Sequence, residues 1–401
     1  MGYQFTRAEV GYLAGAAGQA ALAEVGALPL SASSLVRDLE VARRTHGDRT
    51  GMLVETVRLR RRATAKLDPA IPWLLTDDAL QQATPAPVAR HRAQRLAGRS
   101  VHDVTCSVGA ELVALARECP VVIGSDIDAV RLDMAAANLA AEQAVRLVRA
   151  DALVPVTADP VVIADPARRA GGRRTHDPAA LQPPLPDLLA AYHGRDLVVK
   201  CAPGLDFDTA GPDGSPWAGE VEVVSLDGSV REACLWSPGL AAPRVRRRAT
   251  VLAADGTSWT LTDADPDGIE ERAPGRWIVD PDGAVVRAGL VRHYAAKHGL
   301  WQLDPRIAYL TGDTVPPGVR GFEILERMDF REKPLRAALH RRDCGPLEIL
   351  ARGVPVDPDV LRAKLKPRGS VPHTVVVTRI GTTATAFVCA TPPVQVRGVP
   401  A

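Results

Sequence analysis

Four aspartates stand at the ends of short apolar runs between residues 101 and 174: Asp103, Asp126, Asp151 and Asp165. The stretch reads VHDVTCSVGAELVALA, then VVIGSDIDAVRLDMAAANL, then RLVRADAL and VVIADPARRAGGRR. An acid at a strand end can hold a ligand's hydroxyl or amine groups. The small-residue turn Thr105-Cys106-Ser107-Val108-Gly109 lets backbone approach that ligand, and a helix pattern, Glu111 to Arg117, follows it. A crevice at the carboxyl ends of parallel strands requires this layout.

Two phosphate-cradling motifs are not matched. A dinucleotide site wants G-x-G-x-x-G, whereas the turn D-x-T-C-S-x-G keeps only Gly109 as glycine. The Walker loop G-x-x-x-x-G-K-[ST] is absent, since none of the six lysines follows a glycine in that pattern. The turn and its four acids instead resemble the class I S-adenosyl-L-methionine-dependent methyltransferases, whose first motif commonly reads D-x-G-x-G-x-G. The resemblance implies that Asp103, Thr105, Cys106 and Gly109 belong to the cofactor loop. It places Asp126 on the ribose hydroxyls and Asp151 near the adenine amine. The family's D/N-P-P-x segment, which faces the methyl group, is matched by Asp165-Pro166-Ala167-Arg168, making Asp165, Pro166 and Arg168 the catalytic candidates. In amine methyltransferases that segment accepts hydrogen bonds from the target nitrogen; capping of the following turn is the alternative role for Asp165. Thr105 and Ser107 replace glycines of the motif, and Ala167 replaces its second proline. In many of these enzymes the helix before the first motif closes over the methionine end. Gln82 or Thr84, in QQATPAPV, would then hold the ammonium or carboxylate, with helix capping the plainer role for Thr84.

Arg168, Arg169, Arg173 and Arg174 flank Gly171-Gly172 directly after this segment. Guanidinium forks suit phosphates and stack on bases, so these arginines read as a substrate-binding rim or as a solvated loop. Arg58-Leu-Arg-Arg-Arg62 with Lys66 reads as a basic helix face, either solvated or touching nucleic acid. Cys201, in VVKCAPG, reads as a small buried strand residue; a nucleophilic role would need a flank that this chain lacks. His102 and His176 carry no assignment.

The chain has 401 residues, enough for two or three domains with sizeable cores. Its net charge of +2 implies no polyelectrolyte field, although 43 of its 49 basic residues are arginine. Six scattered cysteines, without C-x-x-C or Cys/His ligand spacing, predict neither a metal site nor a disulfide framework. A reducing cytoplasm is the expected location. The N-terminus lacks the pattern of a signal peptide. No apolar run is long enough to span a membrane, for which ~18 residues are needed.

The expected fold class is α/β. It comprises a Rossmann-like class I methyltransferase sheet, mostly parallel with antiparallel last strands, a helical N-terminal domain and a small α+β C-terminal domain. The expected boundaries are 1–75 (helical), 76–275 (methyltransferase), 276–310 (connector) and 311–401 (C-terminal). Thr6-Arg-Ala-Glu9 fits a capping box, with helical spacing continuing to Val25. Asp227-Gly228 predicts a hairpin, and the acidic, turn-rich stretch 255–274 predicts a boundary loop. Residues 345–368 with TVVVTRI resemble the C-terminal THUMP-like domain of bacterial class I methyltransferases. THUMP domains bind RNA, so the resemblance implies an RNA partner, tRNA or rRNA, modified at a nucleobase. From Arg320 to Arg368 twelve basic residues face eight acids, and Arg352, Lys364, Lys366 and Arg368 are the phosphate-contact candidates. Alternatives are a small-molecule or protein acceptor, and a non-catalytic RNA-binding protein that retains the cofactor fold.

Overall fold

Thr6 opens the first helix through a complete capping box. Its hydroxyl accepts the Glu9 N–H, and the Glu9 carboxylate accepts the Thr6 N–H at 2.7 Å. The structure, a computed structural model, describes residues 2–167, 169–170, 173–174, 177–270 and 272–391. The helical pattern that runs to Val25 breaks at Gly15, giving α1 (Arg7–Ala14) and α2 (Ala16–Gly26). The two helices meet backbone to backbone: a Cβ on Gly18 would lie 2.0 Å from the Tyr12 carbonyl oxygen. After α3 (Leu35–His46), α4 (Thr50–Ala63) carries the basic run.

Arg58, Arg61 and Arg62 of that run are exposed, as a solvated face predicts, and several of its cations also serve neighbouring backbone carbonyls. Arg60 donates to the carbonyls of Trp73 and Pro72, and Arg61 to those of Pro29, Gly26 and Leu28. Arg62 pairs with Asp77, and Lys66 donates to the carbonyls of Leu80 and Gln81. Turn and helix-end carbonyls need donors, and long cationic side chains supply them here.

Helices α5 (Asp77–Gln82) and α6 (Ala86–Arg95) lead into the main sheet. Its strands are β1 (Val101–Asp103), β2 (Val122–Asp126), β3 (Val145–Arg149), β4 (Val161–Ala164), β5 (Leu197–Cys201), β6 (Glu220–Leu226), β7 (Ser229–Trp236), β8 (Arg247–Leu252) and β9 (Ser258–Thr262). Helix α7 (Ala110–Glu118) joins β1 to β2, α8 (Ala129–Asn138) joins β2 to β3, and α9 (Leu185–Ala191) precedes β5. The sheet's order runs β3-β2-β1-β4-β5-β7-β6 and on to β8 and β9, so β1 and β4 are interior strands. Pairings among β3, β2, β1, β4 and β5 are parallel, and β7 runs antiparallel to β5. Asp227 and Gly228 both have positive φ, 52° and 75°, which a two-residue turn of the expected type requires. The expected boundary loop 255–274 contains β9, which follows the tight turn at Asp255-Gly256.

The chain divides into two compact units: residues 1–227 with 231–246 and 252–258, and residues 228–230, 247–251 and 259–401. In the first, Phe5, Leu13, Leu53 and Trp73 from the N-terminal helical region share one apolar core with Val101, Leu112, Ile163 and Trp236 of the sheet layer. The second holds a seven-stranded sheet. Its strands are β10 (Trp277–Asp280), β11 (Trp301–Gln302), β12 (Leu310–Gly312), β13 (Arg320–Asp329), β14 (Cys344–Arg352), β15 (Val371–Ile380) and β16 (Thr383–Ala390), in the order β11-β12-β10-β13-β16-β15-β14. Helices α10 (Gly283–Arg287) and α11 (Val291–His298) lie between β10 and β11. Helix α12 (Glu332–Arg341) and α13 (Pro358–Leu365) pack Leu335, Leu339, Leu361 and Leu365 onto Ile349, Val375, Val377 and Val388. Residues 276–310, expected as a connector, thus carry strands of this sheet, with β10 paired to both β12 and β13. Among the described residues, no helix is long and apolar enough to cross a membrane.

Candidate active site

A cavity of about 630 Å3 opens at the carboxyl ends of β1, β2 and β4, within the roughly 300–1,000 Å3 usual for ligand sites. Asp126, at the end of β2, fastens the loop after β1: its Oδ2 accepts the Ser107 N–H at 3.0 Å and its Oδ1 the Asp128 N–H at 2.8 Å. Ser107 has φ 50° and Gly109 φ 82°. Gly109 is not among the residues lining the cavity. Its conformation demands glycine, and a Cβ there would lie 2.7 Å from Leu139 Cδ1. Gly124 is constrained by packing, because a Cβ would meet Leu112 Cδ1 at 2.4 Å and Cys106 Sγ at 3.1 Å.

Thr105, where the family motif has glycine, ties two strand ends together. Its hydroxyl accepts the Asp165 N–H at 2.7 Å and donates to Asp103 Oδ1 at 3.3 Å, while its own N–H donates to the same oxygen at 3.0 Å. Burial pushes the Asp103 carboxyl up to about 7. Glu111 and Asp165 push the same way, against the Thr105 amide and Lys200. Asp165 Oδ2 accepts from Lys200 Nζ at 2.6 Å. Behind Lys200 lies a buried charge chain: Glu111 Oε2 at 3.8 Å, Arg92 on Glu111 Oε1 at 2.7 Å, and Glu232, which pairs with Arg92. Thr84 donates to Glu232 at 3.4 Å.

Of the residues expected at the cofactor, Gln82, Thr84, Asp103, Thr105, Cys106, Asp126 and Asp151 line one cavity together with Asp165. Pro166 is buried and lies outside that lining. Arg168 and the side chains of Arg169, Arg173 and Arg174 lie outside the described residues; the backbone pairs Arg169–Ala170 with Arg173–Arg174. Ala167 exchanges two backbone hydrogen bonds with Gln182, and both residues line the cavity. Cys201 is buried and does not line it. His102 bonds Thr157 and Ser125, and its burial, with Arg195 nearby, lowers it to about 4. In the second unit, Arg352 pairs with Asp280 and Lys364 with Glu332, whereas Lys366 and Arg368 are exposed and form no ion pair among the described residues.

Sequence reasoning missed Lys200, Glu111, Arg92 and Glu232, which come from separate elements. One signal was present: in a chain that uses arginine for almost every cation, a lysine sits inside the apolar run VVKC. Lys66 was also underread. Burial, helped by Lys200 and Arg231, brings it down to about 8, and its two hydrogen bonds hold the end of α5 that carries Gln82.

The lining suits a cationic ligand. It contains six acids, Asp78, Asp103, Glu111, Asp126, Asp151 and Asp165, against Arg131 and Lys200. S-adenosylmethionine brings a sulfonium and an ammonium. Each Asp126 oxygen accepts one backbone N–H and retains capacity for a hydroxyl. The residues present therefore fit that cofactor.

Comparison with known proteins agrees. The chain is 58% identical over 354 residues to an uncharacterized S-adenosylmethionine-dependent methyltransferase of Mycobacterium tuberculosis, found in strains H37Rv and CDC 1551. The match spans 86% of this chain and 98% of that relative. Residues 319–391 match the THUMP domain-like family, and residues 6–63 match a domain of unknown function. The crystal structure of a candidate methyltransferase from Porphyromonas gingivalis W83 shares the fold at 18% identity and a TM-score of 0.67, covering 86% of this chain and 91% of that one. The chain belongs to the S-adenosylmethionine-dependent methyltransferases that carry a C-terminal THUMP-like domain.

Proposed function

We propose that this methyltransferase acts on RNA, at a nucleobase nitrogen of tRNA or rRNA. The observation that carries the RNA reading is the THUMP domain-like match over residues 319–391. S-adenosylmethionine supplies a methyl group on a positively charged sulfur. The chain's own work is then to align and to desolvate. Asp126 and Asp151 hold the nucleoside end and Gln82 the methionine end. Asp165 accepts a hydrogen bond from the target nitrogen and orients its lone pair. Arg168, Arg169, Arg173 and Arg174 guide the backbone of the substrate strand, with Lys366 and Arg368 as further phosphate contacts.

The test is mass spectrometry of nucleosides from total RNA of a deletion strain. One methylated nucleoside should disappear. It should return with the wild-type gene and not with Asp165→Ala. Unchanged RNA would turn attention to the second reading, a small-molecule or protein acceptor. The acid excess of the cavity lining favours that reading, because it repels a polyanion.

A further inference from the structure

Lys200 sits where the acceptor side of the cavity meets the buried charge chain. It follows Val199, which pairs in register with Ala164, so Lys200 on β5 stands level with Asp165 at the end of β4. Its side chain is only 7% exposed, yet it belongs to the cavity lining. Its ammonium takes one of the two Asp165 oxygens, Oδ2; among the described residues, Oδ1 makes no hydrogen bond. Glu111 Oε2 is buried without a hydrogen-bond partner, and Lys200 Nζ lies 3.8 Å from it. The other oxygen, Oε1, is fixed by Arg92, which is itself clamped by Glu232. The lysine thus has behind it a carboxylate anchored through its other oxygen, and in front of it the Asp165 carboxylate, whose Oδ2 it holds.

We propose that Lys200 is a positioning residue for methyl transfer: it pins Asp165 through Oδ2 so that Oδ1 alone is presented to the acceptor. A carboxylate at a strand end has a broad, two-fold side-chain torsion, and an unpinned one would spend much of its time misaligned. Positioning errors of this kind reduce turnover and leave cofactor affinity untouched, because the Asp126 and Ser107 contacts lie at the end of β2 and in the loop after β1. This inference rests on Asp165 being the acceptor-side group.

Lys200→Met, Lys200→Arg and Lys200→Gln full-length proteins would be compared with wild type in three measurements. Calorimetry with S-adenosylhomocysteine should give unchanged affinity for all of them. Crystal structures with S-adenosylhomocysteine should show the Asp165 carboxylate turned from its wild-type orientation in Lys200→Met and restored in Lys200→Arg. With total RNA from a deletion strain as methyl acceptor, kcat should fall at least about tenfold in Lys200→Met, the scale of one charge-assisted hydrogen bond. KM should hold, and arginine should recover much of the loss. An Asp165 carboxylate unmoved in Lys200→Met, or equal kcat loss in the arginine and methionine variants, would overturn the proposal. If methionine prevents folding, Lys200→Gln serves as the uncharged variant: its shorter neutral amide removes the charge-assisted bond, so kcat should fall there and be recovered by arginine. If RNA is not the acceptor, every turnover arm is silent while the crystallographic arm still decides the role of Lys200.

Discussion

The side chain of Asn138, at the end of α8, pairs with the backbone of Leu74 as a neighbouring strand would. Its Oδ1 accepts the Leu74 N–H at 2.7 Å, and its Nδ2 donates to the Leu74 carbonyl at 3.0 Å. The same Nδ2 donates to the carbonyl of Val108, in the loop that lines the cavity, at 2.9 Å. One amide thus joins the segment after the N-terminal helices to the cofactor loop. Asn138→Ala would strand three backbone groups away from water, at about 1–3 kcal/mol for each group left unsatisfied. Urea denaturation should show a loss above about 2 kcal/mol, and cofactor affinity measured on the folded variant should drop. A stability loss with unchanged affinity would mean that Asn138 does not shape the loop.

Asp126 is expected to govern cofactor affinity through two routes, the ribose hydroxyls and the Ser107 amide it holds at φ 50°. Asp126→Ala should weaken S-adenosylmethionine binding by roughly 1.5–3 kcal/mol, read by calorimetry. Asp126→Asn, which keeps one acceptor oxygen, should fall between. Wild-type affinity in a folded Asp126→Ala protein would rule the assignment out.

Asp103 makes a pH prediction whose sign is fixed. Its carboxyl is raised by burial to about 7 in the folded protein, against roughly 3.9 in an unfolded chain. Between those values the folded state holds a proton that the unfolded state has released, so stability falls as pH rises through that window. Below it Asp103 costs nothing, and above about 7 the full cost is present. Without cofactor, Asp103→Asn should therefore gain stability over wild type at pH 8 relative to pH 4, measured by paired thermal melts. A cation entering the cavity favours the ionised form, so S-adenosylmethionine binding near pH 6 should release protons. Calorimetry in two buffers of different ionisation enthalpy would detect this. Identical observed heats in the two buffers, before any correction, would count against Asp103 as the titrating group.

The sheet was legible because its signals are local. β4 coincides with the apolar run VVIA that precedes Asp165, and the Asp227-Gly228 turn carries its own backbone requirement. The strand-end acids were legible for the same reason. The charge chain was not, because Arg92, Glu111, Lys200 and Glu232 come from α6, α7, β5 and β7; up to 140 residues separate the members of one pair. The backbone anchoring of Arg60 and Arg61 in α4 was hidden in the same way. Their partners are carbonyls at 26–29 and 72–73, and a carbonyl is the one acceptor that every sequence position offers. The stretch 276–310 looked like a connector because β10 and β11 are short strands whose partners lie elsewhere in the second sheet.

Asp165 separates chemistry from cofactor binding. Asp165→Asn keeps the backbone bond to Thr105 and the side-chain volume. It should leave S-adenosylmethionine affinity near wild type and remove most turnover, about 10²-fold or more if the carboxylate positions the nucleophile. Parallel loss of both would instead give Asp165 a structural role at the strand end.

The RNA reading can be tested in the second unit without cutting the chain. A truncation at Thr311-Gly312 would split β12, which pairs with β10 and β11, and so would damage the sheet it was meant to remove whole. Charge reversal at Lys366 and Arg368 is cleaner, because both are exposed and neither forms an ion pair among the described residues. Arg352 and Lys364, already paired with Asp280 and Glu332, should matter less. Lys366→Glu with Arg368→Glu should leave S-adenosylmethionine affinity unchanged, since the cavity is lined by residues between 78 and 200. RNA affinity should fall. The slope of log affinity against log salt should become shallower by about 0.7–0.9 for each phosphate no longer neutralised, measured by filter binding over a salt series. An unchanged slope would remove these two residues from the RNA path and leave the arginines at 168–174 as the remaining candidates. An unchanged slope for Arg168→Glu with Arg169→Glu as well would favour an acceptor other than RNA.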